Sequence, residues 1–363
     1  MRMALLEASK GLGRTTPNPA VGAVLVRDGC VVATGFHARA GTDHAEVAAL
    51  RKIDFRAEGC DLYTTLEPCD HQGRTGSCTE AILAAGIRRV FAGASDPNPL
   101  VRGRGLRKLA RRGVEIVAGV LGEECERLNE AYNFAVLNPR PFVTLKAGLS
   151  LDGRIATSKG ESRYITSEAS RREVHALRNT LDAVLVGVGT VIADDPELTA
   201  RLPGARHPRR VIMDRRLRIP LNAKLVATAK DVPTWVMTTR DAPAKKRRML
   251  EARGVEVIAV AAARGGSGVD PRAVLKALRK RELTSVLVEG GAGIHGAFVD
   301  ARLVDKVVLF YAPLIIGGER AIGAVGGRGT PALADALRIE RVSMATAGPD
   351  IVITGYPATS SGR

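Results

Sequence analysis

The chain has 363 residues, 45% hydrophobic and 25% charged; this is the balance of a folded protein, and the length exceeds one core of roughly 100–200 residues, so two domains are expected. No apolar run approaches the roughly 20 residues of a membrane span, the first residues lack the apolar stretch of a signal peptide, and five cysteines in no disulfide-framework pattern suit a reducing, cytoplasmic setting. The net charge of +16 admits nucleic acid, anionic membrane or phosphorylated small molecules as partners, or simply solvated helix faces; aromatics, at 4%, are too few to interleave the basic runs with stacking platforms.

In chain order, AVGAVLVRDGCVVATGFH predicts a hairpin turning at Asp28-Gly29, and HAEVAALRK a helix. DLYTTLEP and RRVFAGAS predict strands, each followed by a helix, CTEAILAAG and then GRGLRKLARRG. VEIVAGV predicts another strand and EECERLNEAYNFAVLN one closing helix. The outcome is a three-layer α/β domain of about five strands. Cys30, Cys60 and Cys125 are expected as small buried or half-buried side chains. Two prolines within residues 138–141 cannot continue a helix, so a domain boundary is placed there. Beyond it FVTLKAGLSL, DAVLVGVG, RRVIMD, TWVMTT, VEVIAV, SVLVEGG, VDKVVLFYAPLII and DIVITGY predict strands. Helices are expected around SEASRREVHALRN and from about Ala292 to Ala301.

His44, Cys69 and Cys78 form the chain's metal-ligand set. A catalytic zinc takes three protein ligands and keeps one position open, and it accepts one imidazole with two thiolates. His44 and Cys78 both stand at predicted helix starts, where the positive end of the dipole favours anions. Glu46, two residues from the histidine, is placed to take a proton from a water and pass it to a leaving amine, as hydrolytic deamination requires. The zinc-deaminase signature is H-x-E followed by P-C-x-x-C; here His44, Glu46, Pro68 and Cys69 match, but eight residues separate the two cysteines. A closed structural site would need a fourth ligand, for which His71 is the nearby candidate.

TPNPAVGAV, HAEVAAL, TLEPCDHQGRTGSC and DPNPLVRGRG occur in an order that resembles the N-terminal half of the bifunctional riboflavin-biosynthesis deaminase/reductase family. The resemblance implies a cytidine-deaminase-like domain over residues 1–138, in which Asn18, His37, His71 and Arg74 shape the pocket for a phosphoribosylaminopyrimidine. The family usually has Thr-Pro-Pro where this chain has Thr75, Gly76 and Ser77.

In the second half GVGTVI lacks the third glycine of a Rossmann fingerprint, and a tight strand-to-helix turn explains it equally well. VEGGAGIHGAF ends a strand at Glu289 and clusters glycines at a helix start, where backbone amides suit a pyrophosphate. LKAGLSLDGRIA, GESRYITS, GVGTVIADDPELTAR and LVEGGAGIHGAF resemble the reductase half of the same family. The resemblance implies a dihydrofolate-reductase-like α/β domain over residues 141–357 that uses NADPH. It places Lys146 at the reacting ribose and Ser162, Arg178, Leu198, Arg201 and Glu289 around the substrate. Gly148, Tyr164, Thr190, Asp194, Arg215, Gly291, Ala292, Gly293, Ile294, His295, Gly296 and Ala297 fall to the cofactor, Tyr164 standing where the family often has tryptophan.

The implied reactions are zinc-dependent deamination of 2,5-diamino-6-(5-phosphoribosylamino)pyrimidin-4-one and NADPH-dependent reduction of the ribosyl chain of 5-amino-6-(5-phosphoribosylamino)uracil to ribityl. Small-molecule substrates and a homo-oligomer are expected, with neither nucleic acid nor membrane as partner. Two rivals remain: a nucleic-acid deaminase acting on tRNA adenosine, against which the long spacer and second domain count, and a nucleotide-sensing module with structural zinc, which leaves Glu46 without a task.

Overall fold

The computed structural model describes residues 1–70, 76–99, 101–265 and 268–358, and the chain divides into two compact units, Met1–Pro139 and Arg140–Arg363. In the first, α1 (Arg2–Ser9) precedes β1 (Gly22–Arg27) and β2 (Cys30–Phe36), followed by α2 (Ala45–Arg51), β3 (Asp61–Leu66), α3 (Cys78–Ala84), β4 (Arg89–Ala94), α4 (Arg104–Arg111), β5 (Glu115–Ala118), α5 (Gly122–Leu128) and α6 (Glu130–Leu137). The five-stranded sheet has the order β2-β1-β3-β4-β5, with β1 antiparallel to both neighbours and β3, β4 and β5 parallel. Asp28 and Gly29 make the hairpin turn with φ of 49° and 78°, the left-handed pair that matches strand twist.

Two glycines show why helices cover both faces. A Cβ on Gly22 would lie 2.0 Å from the carbonyl oxygen of Ala4 in α1, and one on Gly35 would lie 2.4 Å from that of Ala45 in α2. Gly35 pairs with Ala23, the residue after Gly22, so the two glycines face opposite sides of the sheet. The α2 side carries a core that includes Ala23, Leu25, Ala49, Leu50 and Leu62.

Two expectations are corrected in this unit, and one helix is added. The closing helix is two helices, because Asn129 between them leaves helical geometry with φ −107° and ψ 21° and bonds the backbone of Ala20 through both Oδ1 and Nδ2, at 2.9 and 2.8 Å. Helix α1 was not signalled by its pattern. Cys30 is exposed, unlike buried Cys60 and Cys125, since it opens β2 directly after the turn.

The second unit runs β6 (Phe142–Ser150), β7 (Arg154–Ala156), α7 (Glu168–Thr180), β8 (Ala183–Gly187), α8 (Val188–Asp194), β9 (Arg209–Met213), α9 (Lys224–Ala227), β10 (Thr234–Thr238), α10 (Ala244–Glu251), β11 (Glu256–Ala259), α11 (Pro271–Arg279), β12 (Ser285–Val288), α12 (Ala292–Asp300), β13 (Lys306–Ala312), β14 (Ile322–Gly323), β15 (Ile339–Ala347) and β16 (Asp350–Pro357). Its nine-stranded sheet has the order β11-β10-β9-β8-β12-β6-β13-β16-β15. The first seven are parallel, and β16 runs antiparallel to β13 and β15. Along β8, Ala183 and Leu185 join one core with Phe298 of α12 and Leu275 of α11, whereas Val184 and Val186 join another with Leu225 of α9 and Leu250 of α10. Alternate residues thus enter cores on opposite faces, which is why these strands read as continuous apolar runs. Strand β15 escaped the pattern because it is exposed almost throughout.

Candidate active sites

In the first unit the site is assembled at two helix starts and one strand end. His44 is the residue before α2, with extended backbone; Cys78 is the first residue of α3; Cys69 follows β3. Their ligand atoms all lie within 4.8 Å of one another, with His44 Nδ1 3.2 Å from Cys78 Sγ and 3.5 Å from Cys69 Sγ. Zinc bonded to sulfur at about 2.3 Å and nitrogen at about 2.0 Å sets tetrahedral edges of roughly 3.5–3.8 Å, so this donor set fits such an ion. Cys78 Sγ is 3.6 Å from Glu46 Oε2, which puts a buried carboxylate against the ligand cluster.

The electrostatics of this cluster follow from burial and sharing of protons. The hydrogen bond from the Cys78 thiol, opposed by burial and aided by His44, pulls Cys69 down to about 4. The same bond and burial push Cys78 up. Glu46 is raised by burial, with His44 opposing. His37, 2% exposed, stands edge-on to His44 with ring centroids 5.2 Å apart. Its Nδ1 faces the Asp43 carbonyl at 3.0 Å and therefore carries the proton; its Nε2 then accepts from Asn18 Nδ2 at 3.1 Å. Burial keeps this imidazole below its ordinary pKa. His37 thus stands beside the metal-ligand cluster with Asn18 bonded to it, while His71 and Arg74 lie outside the described residues.

Supporting contacts not foreseen from sequence hold this arrangement. The Glu67 carboxylate accepts from the amides of Asp96 at 3.1 Å and Gly103 at 2.8 Å, tying the DPNPLVRGRG segment to the end of β3. Gly105 then sits so close that a Cβ would fall 1.8 Å from the Pro68 carbonyl oxygen. Asp70 accepts from Thr79 Oγ1 at 2.7 Å and Lys108 Nζ at 2.6 Å, while Ser77 Oγ donates to the Cys69 carbonyl at 3.3 Å. The only sequence signal was that Glu67 directly precedes Pro68-Cys69.

The second unit holds a cleft of ≈ 1210 Å³ at the carboxyl ends of its parallel strands, where open α/β sheets receive ligands. Lys146 and Gly148 come from β6, Glu289 from the end of β12, and Arg215 from the end of β9; Thr190 and Asp194 belong to α8, and Ser162 and Tyr164 to the loop between β7 and α7. Arg178 of α7 grips Glu289 with two bonds, Nε to Oε1 at 2.6 Å and Nη2 to Oε2 at 2.8 Å. Burial alone would raise Glu289, but Arg178 and then Lys146 bring it below its ordinary value. Burial lowers Lys146, with Glu289 opposing and Arg178 adding.

Of the residues named from motifs, Arg201, Gly291, Ala292, Gly293, Ile294, His295 and Ala297 also line the cleft. Two do not. Leu198, with φ of 54°, packs into the core beside Ile212, and Gly296 faces Gly326, whose carbonyl carbon would lie 2.3 Å from a Cβ there. No side chain caps α12, which begins after Gly291, and a Cβ on Gly293 would meet open space. A bare helix start lined by glycine suits the pyrophosphate of a dinucleotide. His175 of α7 also lines the cleft and was not singled out from the sequence.

Residues 1–94 match the cytidine and deoxycytidylate deaminase zinc-binding region, and residues 141–353 the RibD C-terminal domain. Over 358 residues the chain is 41% identical to the riboflavin biosynthesis protein RibD of Bacillus amyloliquefaciens, covering 98% of this chain and 95% of that one. The RibD of Aquifex aeolicus is 42% identical over 354 residues, 97% and 96% of the two chains. The chain belongs to the RibD family.

Solved structures agree. Acinetobacter baumannii RibD superposes with a TM-score of 0.85 at 34% identity, covering 99% of this chain and 98% of that one. The Thermotoga maritima diaminohydroxyphosphoribosylaminopyrimidine deaminase/5-amino-6-(5-phosphoribosylamino)uracil reductase gives 0.84 at 36% identity, with 99% and 97% covered. The fold is therefore cytidine-deaminase-like in its N-terminal part and dihydrofolate-reductase-like in its C-terminal part. Family membership makes the protein a bifunctional enzyme of riboflavin biosynthesis with deaminase and reductase activities, which removes the tRNA-deaminase and nucleotide-sensor readings. The deaminase region is of a zinc-binding class, and no helix among the described residues is long and apolar enough to cross a membrane.

Proposed function

We propose that the first domain, residues 1–138, deaminates 2,5-diamino-6-(5-phosphoribosylamino)pyrimidin-4-one with zinc on His44, Cys69 and Cys78, and that the second, residues 141–357, reduces the ribosyl chain of 5-amino-6-(5-phosphoribosylamino)uracil with NADPH. The observation that carries this reading is the convergence of one imidazole and two thiols within 4.8 Å beside the buried Glu46. Zinc, when bound there, supplies a water whose pKa falls to about 7. Glu46 takes a proton from the attacking water and returns it to the leaving amine; its raised affinity for a proton suits a group that must hold one between those events. With Nδ2 given to His37, the Asn18 carbonyl oxygen is left to accept from the pyrimidine, and His71 and Arg74 complete that pocket.

In the cleft NADPH supplies the hydride. Lys146 holds the ribose as its C1 is reduced, and Arg178 keeps Glu289 ionised and fixed in orientation through their bidentate bond. Ser162 and Arg201 complete the substrate side, without the core residue Leu198. Gly148, Tyr164, Thr190, Asp194, Arg215 and the start of α12 take the cofactor. The protein works in the cytoplasm as a homo-oligomer, a reading supported by edge strand β15, where Val342 and Met344 are 54% and 68% exposed.

The test is direct. Purified protein loaded with zinc is expected to release ammonia from the diaminopyrimidine and, given the deaminated uracil, to oxidise NADPH. Failure of the zinc-loaded protein to release ammonia would remove the first assignment, and absence of NADPH oxidation with the uracil would remove the second.

A further inference from the structure

Helix α7 turns both His175 and Arg178 toward the cleft. Arg178 is spent within the protein, since Nε and Nη2 hold Glu289 and Nη1 donates to the Thr199 carbonyl at 3.1 Å. His175 is 8% exposed, and its Nδ1 lies 3.2 Å from that same carbonyl and 3.3 Å from the backbone nitrogen of Arg201. One ring nitrogen cannot donate to a carbonyl and accept from an amide at once. Arg178 already satisfies Thr199, so Nδ1 accepts from the Arg201 amide and the ring proton sits on Nε2. Burial, with Arg178 and Arg201 adding, lowers the pKa of this histidine, in keeping with a neutral ring.

That tautomer has a consequence for ligand binding. Nε2 makes no hydrogen bond among the described residues, and it is not one of the buried polar atoms left without a partner. Because His175 lines the cleft, its N–H is offered to whatever enters. Two residues beyond Thr199, Arg201 has a 56% exposed side chain whose ion pair is with Glu197 at 3.2 Å. A fixed neutral donor next to an adjustable guanidinium suits a phosphomonoester, whose oxygens take charge-assisted bonds from several directions.

Resting on the reductase reading above, we propose that His175 binds the phosphate of the phosphoribosyl substrate directly through Nε2–H, with Arg201 as the second donor, while Nδ1 holds the Arg201 backbone in place. The experiment compares His175→Gln with His175→Asn in the full chain. Glutamine places an amide nitrogen where Nε2 sits, whereas asparagine reproduces only the acceptor at Nδ1. Expected is a KM for 5-amino-6-(5-phosphoribosylamino)uracil about ten- to a hundred-fold higher in the asparagine variant than in the glutamine variant, the span of a hydrogen bond to a charged group. NADPH affinity by fluorescence titration and ammonia release by the deaminase are expected to match the unaltered protein in both. Equal KM values, or a higher one for glutamine, would overturn direct binding and leave only the backbone-positioning role. A KM difference that persists on the dephosphorylated substrate would overturn the phosphate assignment. Should the unaltered protein itself fail to reduce the uracil, the underlying reductase reading falls too; an active protein with equal KM values sinks the His175 proposal alone.

Discussion

The two sites are built on opposite plans. The metal-ligand cluster collects three small side chains from two helix starts and one strand end, all within 4.8 Å, and each is fixed by its own turn of backbone. The reductase cleft encloses ≈ 1210 Å³ and draws on strand ends, a loop and three helices spread over well more than a hundred residues. A compact ligand set fails as a unit when one donor is lost. A distributed cleft loses one function at a time, because its substrate and cofactor contacts come from different elements.

Cys78→Ser is the largest expected break on the compact side. Hydroxyl is a poor substitute for thiolate as a zinc ligand, so zinc occupancy by elemental analysis and ammonia release should both collapse, while NADPH oxidation with the deaminated uracil continues. Full occupancy with normal deamination would remove Cys78 from the ligand set. On the distributed side, Lys146→Ala should lower reduction by about 10² or more, the order of loss when a positioning contact to the reacting group is removed. NADPH binding, followed by its fluorescence, should survive; turnover at the unaltered rate would contradict the role given to this lysine.

Ion pairs sharpen the same contrast. Arg178→Met leaves Glu289 buried without its partner, a change expected to cost about 3–5 kcal/mol. The chain's single tryptophan, Trp235, lies buried in β10 of the same unit, so urea unfolding followed by its fluorescence reads that loss where it occurs. An unchanged midpoint would show that the pair serves the ligand rather than the fold.

In the first unit the corresponding pair lies at the far end of the sheet from the metal ligands. Asp61 opens β3 and is held below the usual carboxylate range by Arg89, with burial opposing and Arg88 adding. A folded-state pKa below the unfolded value of about 3.9 contributes stability that is fully present above that pH and is lost as pH falls through the folded value. The smallest effect follows: β3 amides should exchange more slowly in the unaltered protein than in Asp61→Asn above about pH 5, and the gap should close only in acid. A gap that widened on acidification would reverse the sign and refute the assignment.

How much was legible in the sequence tracks this difference in plan. His44, Glu46, Cys69 and Cys78 could be found because local spacing alone brings them to two helix starts and one strand end, and the strands of the two large sheets, β15 excepted, announced themselves by apolar runs. The break at Asn129 was hidden because its cause is a side-chain bond to Ala20, 109 positions away. β15 was hidden because an exposed edge strand carries no apolar alternation. Leu198 and Gly296 were named with the cleft because motif neighbours share a sequence address, yet a left-handed φ at Leu198 and the contact of Gly296 with Gly326 turn them elsewhere. His175 stayed silent for the converse reason: one histidine on a helix gains meaning only when Thr199 and Arg201 are folded against it.

The central claim is that one chain carries two chemically separate sites, the first working through Glu46. NADPH oxidation by Glu46→Gln, measured once with the diaminopyrimidine and once with the deaminated uracil, tests it most directly. Zinc content should be unchanged, oxidation started from the diaminopyrimidine should fall by roughly 10²–10⁴, the loss expected on removing a general acid/base, and oxidation started from the uracil should proceed at the unaltered rate. Near-normal oxidation from the diaminopyrimidine would contradict the role of Glu46, and loss of oxidation from the uracil would contradict the separateness of the two sites.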